Sequence, residues 1–242
     1  DLSELYYNIR PAQETMALNE EGQIRTSEYS EDGRPDYNRL LLKPGQYDIL
    51  SIHEAYDGKK EFAYYCLLKE NIYITSDTTL VFDFTECQLL EVKNYNVEGE
   101  LFEPRKNYTF ACFTQGLVRK EDGVNLELYS TFSGVGIQYF LNEVSDRFLL
   151  YEGRVYIVDG KSENQHFYMT GRVTENKNEP WINNSQDYTY VEQEFDPSKA
   201  SDETPYKGAA VQMLVSFDDI FFYGAGPGDI APNDLNLNRI YV

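Results

Sequence analysis

Oxygen-bearing side chains at alternating positions near the C-terminal end are the first residues of this 242-residue chain that could do chemistry. In DLNLN at 234–238, Asp234, Asn236 and Asn238 alternate, a spacing that points oxygen ligands toward one hard cation. The match to a calcium-binding loop then stops. Arg239 stands where the sharp turn needs glycine, and the position of the bidentate acid would fall beyond Val242. Asp229, Asn233 and Asp234 are therefore the candidate ligands of a nonstandard calcium site, with a solvated loop as the simpler reading.

A second constellation suits a sugar. A flat aromatic ring stacks on a pyranose face while amides and carboxylates take its hydroxyls. Trp181, Tyr188 and Tyr190, with Asn183, Asn184 and Asp187, supply both kinds of group in one stretch, which makes them the candidate carbohydrate site. The simpler reading is that Trp181 pins this stretch to the core. Asn107-Tyr108-Thr109 and Asn183-Asn184-Ser185 also match the N-glycosylation pattern.

Catalytic equipment is sparse, and no catalytic residue is expected. Carboxylate pairs such as Asp218-Asp219, Glu192 with Glu194 and Asp83 with Glu86 are too common in so acidic a chain to mark a glycosidase, which needs two acids set across a cleft. No GxSxG occurs. The two histidines, His53 and His166, have no Cys or His partner nearby in sequence. Gly224-Ala225-Gly226-Pro227-Gly228 follows an apolar run like a phosphate loop, but Pro227 removes an amide donor and Asp229 repels phosphate. Cys66, Cys87 and Cys112 form no CxxC pair and read as packed thiols, with a Cys66–Cys87 disulfide left open for an oxidising compartment.

The elements that would position these groups are strands. The chain holds 21 Tyr and 14 Phe, residues that suit a half-buried pleated surface. Strand-length runs separated by turn residues read as TMALN, QIRTSEY, NRLLL, QYDILSIHEA, EFAYYCLLKE, IYIT and TLVFDF, after an initial LYYNI. The second half continues with YTFACFTQGLV, VNLELYSTF, GIQYFLNEV, RFLLYEG, RVYIVDG, HFYMTGRV and AAVQMLVSFDDIFFYG. The expected fold is all-β, as two β-sandwich-like modules of mainly antiparallel strands. A boundary is expected at EGELFEPR, giving residues 1–97 and 98–242, with a long polar surface excursion at 175–206.

The net charge of −20 disfavours nucleic acid, whose phosphates need a basic patch. The longest nearly apolar run, 208–217, is far short of a helical membrane span. Starting at Asp1 without methionine, the chain is expected to be mature or trimmed, with any export signal upstream.

KPGQYDI at 43–49, followed by YYCLLKENIYITSDTTLVFDF at 64–84, resembles secreted bacterial sandwich modules of the transthyretin-like or carboxypeptidase-regulatory-like type. The resemblance covers about a third of the chain and offers no catalytic residue. It implies an extracytoplasmic binding, adhesion or spacer role at a bacterial cell surface, lipid-anchored or periplasmic, with a glycan or a surface protein as partner. The alternative is a carbohydrate-binding module or an accessory domain of a glycan-active enzyme.

Overall fold

The computed structural model describes residues 13–27, 40–56, 61–96, 98–101, 110–132, 136–158, 165–187, 190–192, 213–217, 220–224 and 237–241. Their strands are β1 (Gln13–Asn19), β2 (Ile24–Thr26), β3 (Gly45–Tyr56), β4 (Glu61–Ile74), β5 (Gln88–Leu89), β6 (Val92–Tyr95), β7 (Phe110–Arg119), β8 (Asn125–Phe132), β9 (Gly136–Leu141), β10 (Phe148–Val158), β11 (Gln165–Thr174), β12 (Trp181–Asn184), β13 (Tyr190–Glu192), β14 (Met213–Phe217), β15 (Ile220–Gly224) and β16 (Leu237–Tyr241). The fold is all-β, and no helix among these residues is long and apolar enough to cross a membrane.

Two six-stranded sheets carry the architecture, in the orders β2-β1-β3-β4-β9-β5 and β13-β16-β11-β10-β7-β8. Pairing is antiparallel except for β4 with β9 and β11 with β16. The small sheets β12-β6, which is parallel, and β14-β15 complete the set.

Side chains alternate across a strand, so one residue in two faces the partner sheet. On the first sheet Met16, Leu18, Leu50, Ile52, Tyr64, Cys66, Leu68 and Tyr139 take that face. They meet Leu117, Leu126, Phe148 and Leu150 of the second sheet in one buried cluster. Burying each such aliphatic side chain is worth about 1.5–3 kcal/mol. The opposite face of the first sheet, at Ala17, Tyr47 and Ile49, is covered by Leu40, Leu42, Leu80 and Phe82.

That covering corrects two expected strands. NRLLL and TLVFDF are apolar runs of strand length, but residues 40–43 and 78–83 belong to no strand. Leu40 and Leu42 face inward while Leu41 is 93 % exposed, so the alternation reports burial against a sheet rather than membership of one. IYIT, in turn, is not a separate strand. It continues β4 through Asn71, whose φ of 56° makes an irregularity opposite Asp48.

The expected boundary near residue 97 coincides with no break in sheet or core. β9 lies beyond it yet is hydrogen-bonded between β4 and β5, and the shared cluster draws on both sides of it. What reads in sequence as a linker is in part a tight turn. The Asn96 side-chain oxygen accepts from the amides of Glu98 and Glu100, Gly99 sits at φ 79°, and Tyr95 bridges to Leu101. RFLLYEG and RVYIVDG likewise merge into β10, because Gly153 stays in the ladder opposite Gly171 and Thr114.

Gly116 of β7 marks a close approach. A Cβ there would lie 2.4 Å from the Leu126 carbonyl oxygen and 2.6 Å from the Tyr151 ring. Tyr151 packs over the bare glycine backbone, and its hydroxyl accepts a hydrogen bond from the Asn125 amide at 3.0 Å. Burial pushes the Tyr151 phenol up.

Candidate functional site

Two polar clusters lie between the sheets; of their residues only Trp181 and Asn183, in the second, stood out in the sequence. The first is centred on Asp48, which shares the inward face of β3 with Leu50 and Ile52 and is 3 % exposed. A carboxylate on an apolar stripe must be compensated. The irregularity at Asn71 brings that residue's amide to Asp48 Oδ1 at 3.0 Å. Arg119, at the end of β7, donates to Asp48 Oδ2 at 3.2 Å, and Arg147, just before β10, reaches the two oxygens at 3.0 and 3.1 Å.

Arg119 is itself 2 % exposed and donates further to the Asn19 carbonyl at 2.8 Å and to both oxygens of Asp122. Those bonds raise the guanidinium above its usual range and hold the Asp122 carboxyl below its own. Ser145, in the turn that carries Arg147, donates its amide and hydroxyl to Glu70. The outcome is a network with Asp48 from the first sheet, Arg119 from the second and Arg147 from the turn that leads into β10.

Above this floor opens a recess of about 260 Å³, with Glu20, Gln46, Asn71, Glu121 and Arg147 on its walls. Glu121 is held loosely, 3.6 Å from Arg147 Nε.

The second cluster is a row across three neighbouring strands. Gln115 of β7 is paired with Glu152 of β10, which is paired with Arg172 of β11. Arg172 Nε donates to Glu152 at 2.7 Å, and Arg154 lies 3.9 Å from the same carboxylate. The Arg172 guanidinium covers the Trp181 ring at 5.1 Å. Beside them Asn183 donates to Asn94 at 2.9 Å and its carbonyl oxygen lies 3.1 Å from the Thr170 hydroxyl, which joins β12 to β6 and β11. This polar row continues the apolar row of Leu126, Leu117 and Leu150 one step along the same face.

The candidate carbohydrate residues fall on this second cluster in part. Trp181 is 9 % exposed and capped by Arg172, and Asn183 is 8 % exposed with its amide committed, so neither offers a stacking platform or a free amide. The same burial removes Asn183 as a glycosylation acceptor, while Asn107 lies outside the described residues. Asn184 is exposed on the other face of β12, and Asp187 is exposed in the 3-10 turn that follows. Tyr188 lies outside the described residues, and Tyr190 is placed only as a backbone position in β13. The polar excursion at 175–206 is thus partly interior, since β12 pairs with β6 and Lys177 is buried against the carbonyl oxygens of Ser145 and Glu175.

Asp229, Asn233 and Asp234 lie outside the described residues. Among the described residues no group of three or more His, Cys, Asp or Glu side chains could hold a metal ion. Cys66 and Cys87 are both free thiols, with the Cys87 thiol donating to the Cys66 carbonyl oxygen at 3.4 Å. Asp83, of the pair with Glu86, caps a short 3-10 turn at Phe84–Glu86 by accepting from the Thr85 amide and hydroxyl. His53 packs its ring 5.5 Å from Phe84 and 6.4 Å from Tyr65. Comparison of the chain with family models, with curated proteins and with solved structures finds no match.

Proposed function

We propose that this chain is a non-catalytic binding, adhesion or spacer module that works outside the cytoplasm at a bacterial cell surface. The observation that carries this reading is the network on Asp48. The buried charges at Asp48, Arg119 and Asp122 are spent on one another and tie one sheet to the other, which makes a stiff framework. Stiff sandwiches present loops and recesses without needing to move, which suits recognition by a preformed surface. The net charge of −20 adds solubility and disfavours anionic partners.

Surface exposure is the test. Intact cells making the full-length protein are treated with a protease that cannot enter them, and the fragments are identified by mass spectrometry. Fragments of this chain released from intact cells are expected. Release only after lysis, with the chain in the cytosolic fraction, would overturn the location and with it the role.

The alternative of a carbohydrate-binding module has support of its own in the recess above Asp48, whose walls mix carboxylates, amides and a guanidinium. It draws none from Trp181, whose ring is covered.

A further inference from the structure

We propose that the recess above Asp48 binds one neutral, hydroxyl-rich ring, the chemistry of a single sugar residue in a glycan. This inference rests on the reading of the chain as a binding module and assigns it a site.

Size sets the first limit. At about 260 Å³ the recess lies just below the range of roughly 300–1,000 Å³ usual for small-molecule sites, so it takes one ring and not a chain of them.

Hydrogen-bonding capacity sets the second. The Asn71 side-chain oxygen already accepts from Gln46 at 2.7 Å and from Arg147 at 3.0 Å. This leaves the Asn71 side-chain NH2 hydrogens as donors and the Gln46 side-chain oxygen as an acceptor. Glu20 is exposed on the rim, and Glu121, at 64 % side-chain exposure, keeps most of its valence. The open groups are therefore several strong acceptors and a few donors. A sugar hydroxyl can donate to one group while accepting from another, so a ring bearing several of them meets both demands.

Charge selects within that class. Glu20, Asp48 and Glu121 outnumber Arg119 and Arg147 on the lining by one, and the whole chain is acidic, so carboxylated or sulfated sugars are repelled. A free cation fits less well, because Arg147 stands in the wall and the acids do not converge as metal ligands. Rigidity favours binding as well. The floor is fixed by four hydrogen bonds to Asp48, so little ordering is left for the ligand to impose.

The test is calorimetric titration of the chain with neutral glucan, mannan and galactan oligosaccharides and, in parallel, with a uronic-acid oligosaccharide. The same series is run on the double variant Glu20→Gln/Glu121→Gln. Both substituted residues are exposed, so its melting temperature is expected to match wild type. Saturable binding of at least one neutral series, weakened tenfold or more in the variant, is expected. Neutral binding that the variant leaves intact would overturn the recess as the site while the binding reading stood. Tighter binding of the uronic-acid series would overturn the ligand class. Binding of neither series would overturn the inference, and a surface location found by protease treatment would then leave the spacer role.

Discussion

Asp48 and Arg119 stand 71 residues apart in sequence and meet at 3.2 Å between the sheets, each almost wholly removed from solvent. One belongs to β3 and the other to the end of β7, so the pair fixes how the two sheets are held at that end of the core.

Removing one member of a buried ion pair leaves the other charge uncompensated, at a cost of about 3–5 kcal/mol. Asp48→Ala takes one carboxylate from two guanidinium groups, of which Arg119 keeps Asp122 and Arg147 keeps Glu70 and Glu121, so the loss in urea unfolding is expected toward the lower end of that range. Replacing Asp48, Arg119 and Arg147 together by apolar residues of similar size is expected to recover much of the loss. A loss below about 1 kcal/mol for Asp48→Ala would mean that water screens the network.

His53 gives a pH dependence of definite sign. Burial lowers the imidazole below its ordinary range, and its Nδ1 has no protein partner, so the folded state favours the neutral ring. The folded pKa lies below the unfolded one. The stability this preference confers is present above the ordinary imidazole range and is lost as pH falls through the folded value. Urea midpoints at pH 7 and pH 5 are expected to differ more in wild type than in His53→Phe. Equal differences would place the proton uptake elsewhere.

Both described thiols are expected to be inert in the folded chain. Burial, with Glu86 adding to it, pushes the Cys87 thiol up to about 12, and burial raises Cys66 as well. The thiolate is the reactive form, so little is available at neutral pH. Iodoacetamide at pH 8 followed by peptide mapping is expected to label Cys66 and Cys87 only after denaturant is added. Rapid labelling of Cys87 in buffer would contradict the packing around Phe84 and Phe140.

Trp181 is the single tryptophan, so its fluorescence reports one site. Capped by Arg172, it is expected to emit as a shielded indole and to resist iodide quenching. Trp181→Ala is expected to cost about 3–5 kcal/mol, as for other large-to-small aromatic changes in a core. Emission that iodide quenches freely would return the ring to the surface as a sugar platform.

The strands were legible from composition and from period-two alternation, and β3 shows both the reach and the limit of that signal. Leu50 and Ile52 mark its inner face, and Asp48 shares that face without having stood out in the sequence. Its partners were not visible, because Arg119, at the end of β7, and Arg147, in the turn before β10, lie 71 and 99 residues away and nothing local ties them to it. An apolar run also could not tell a strand from a segment lying on a sheet, as at Leu40 and Leu42. Trp181 among polar residues read either as a sugar platform or, more simply, as a pin to the core, and its burial under Arg172 fits the pin. Its neighbours Asn183 and Lys177 are polar yet interior, each buried with a partner that sequence does not show. Tyr73 is 71 % exposed, because it alternates with Ile72 and Ile74, which take the face packed on Tyr47 and Ile49.

The functional account is tested most directly by incubating the purified chain with immobilised neutral cell-surface polysaccharides and following both retention of the chain and release of soluble sugar. The account predicts retention that free neutral oligosaccharide reverses, with no sugar released over prolonged incubation. Sugar release that grows with time and with the amount of chain would contradict it, because the chain would then be an enzyme.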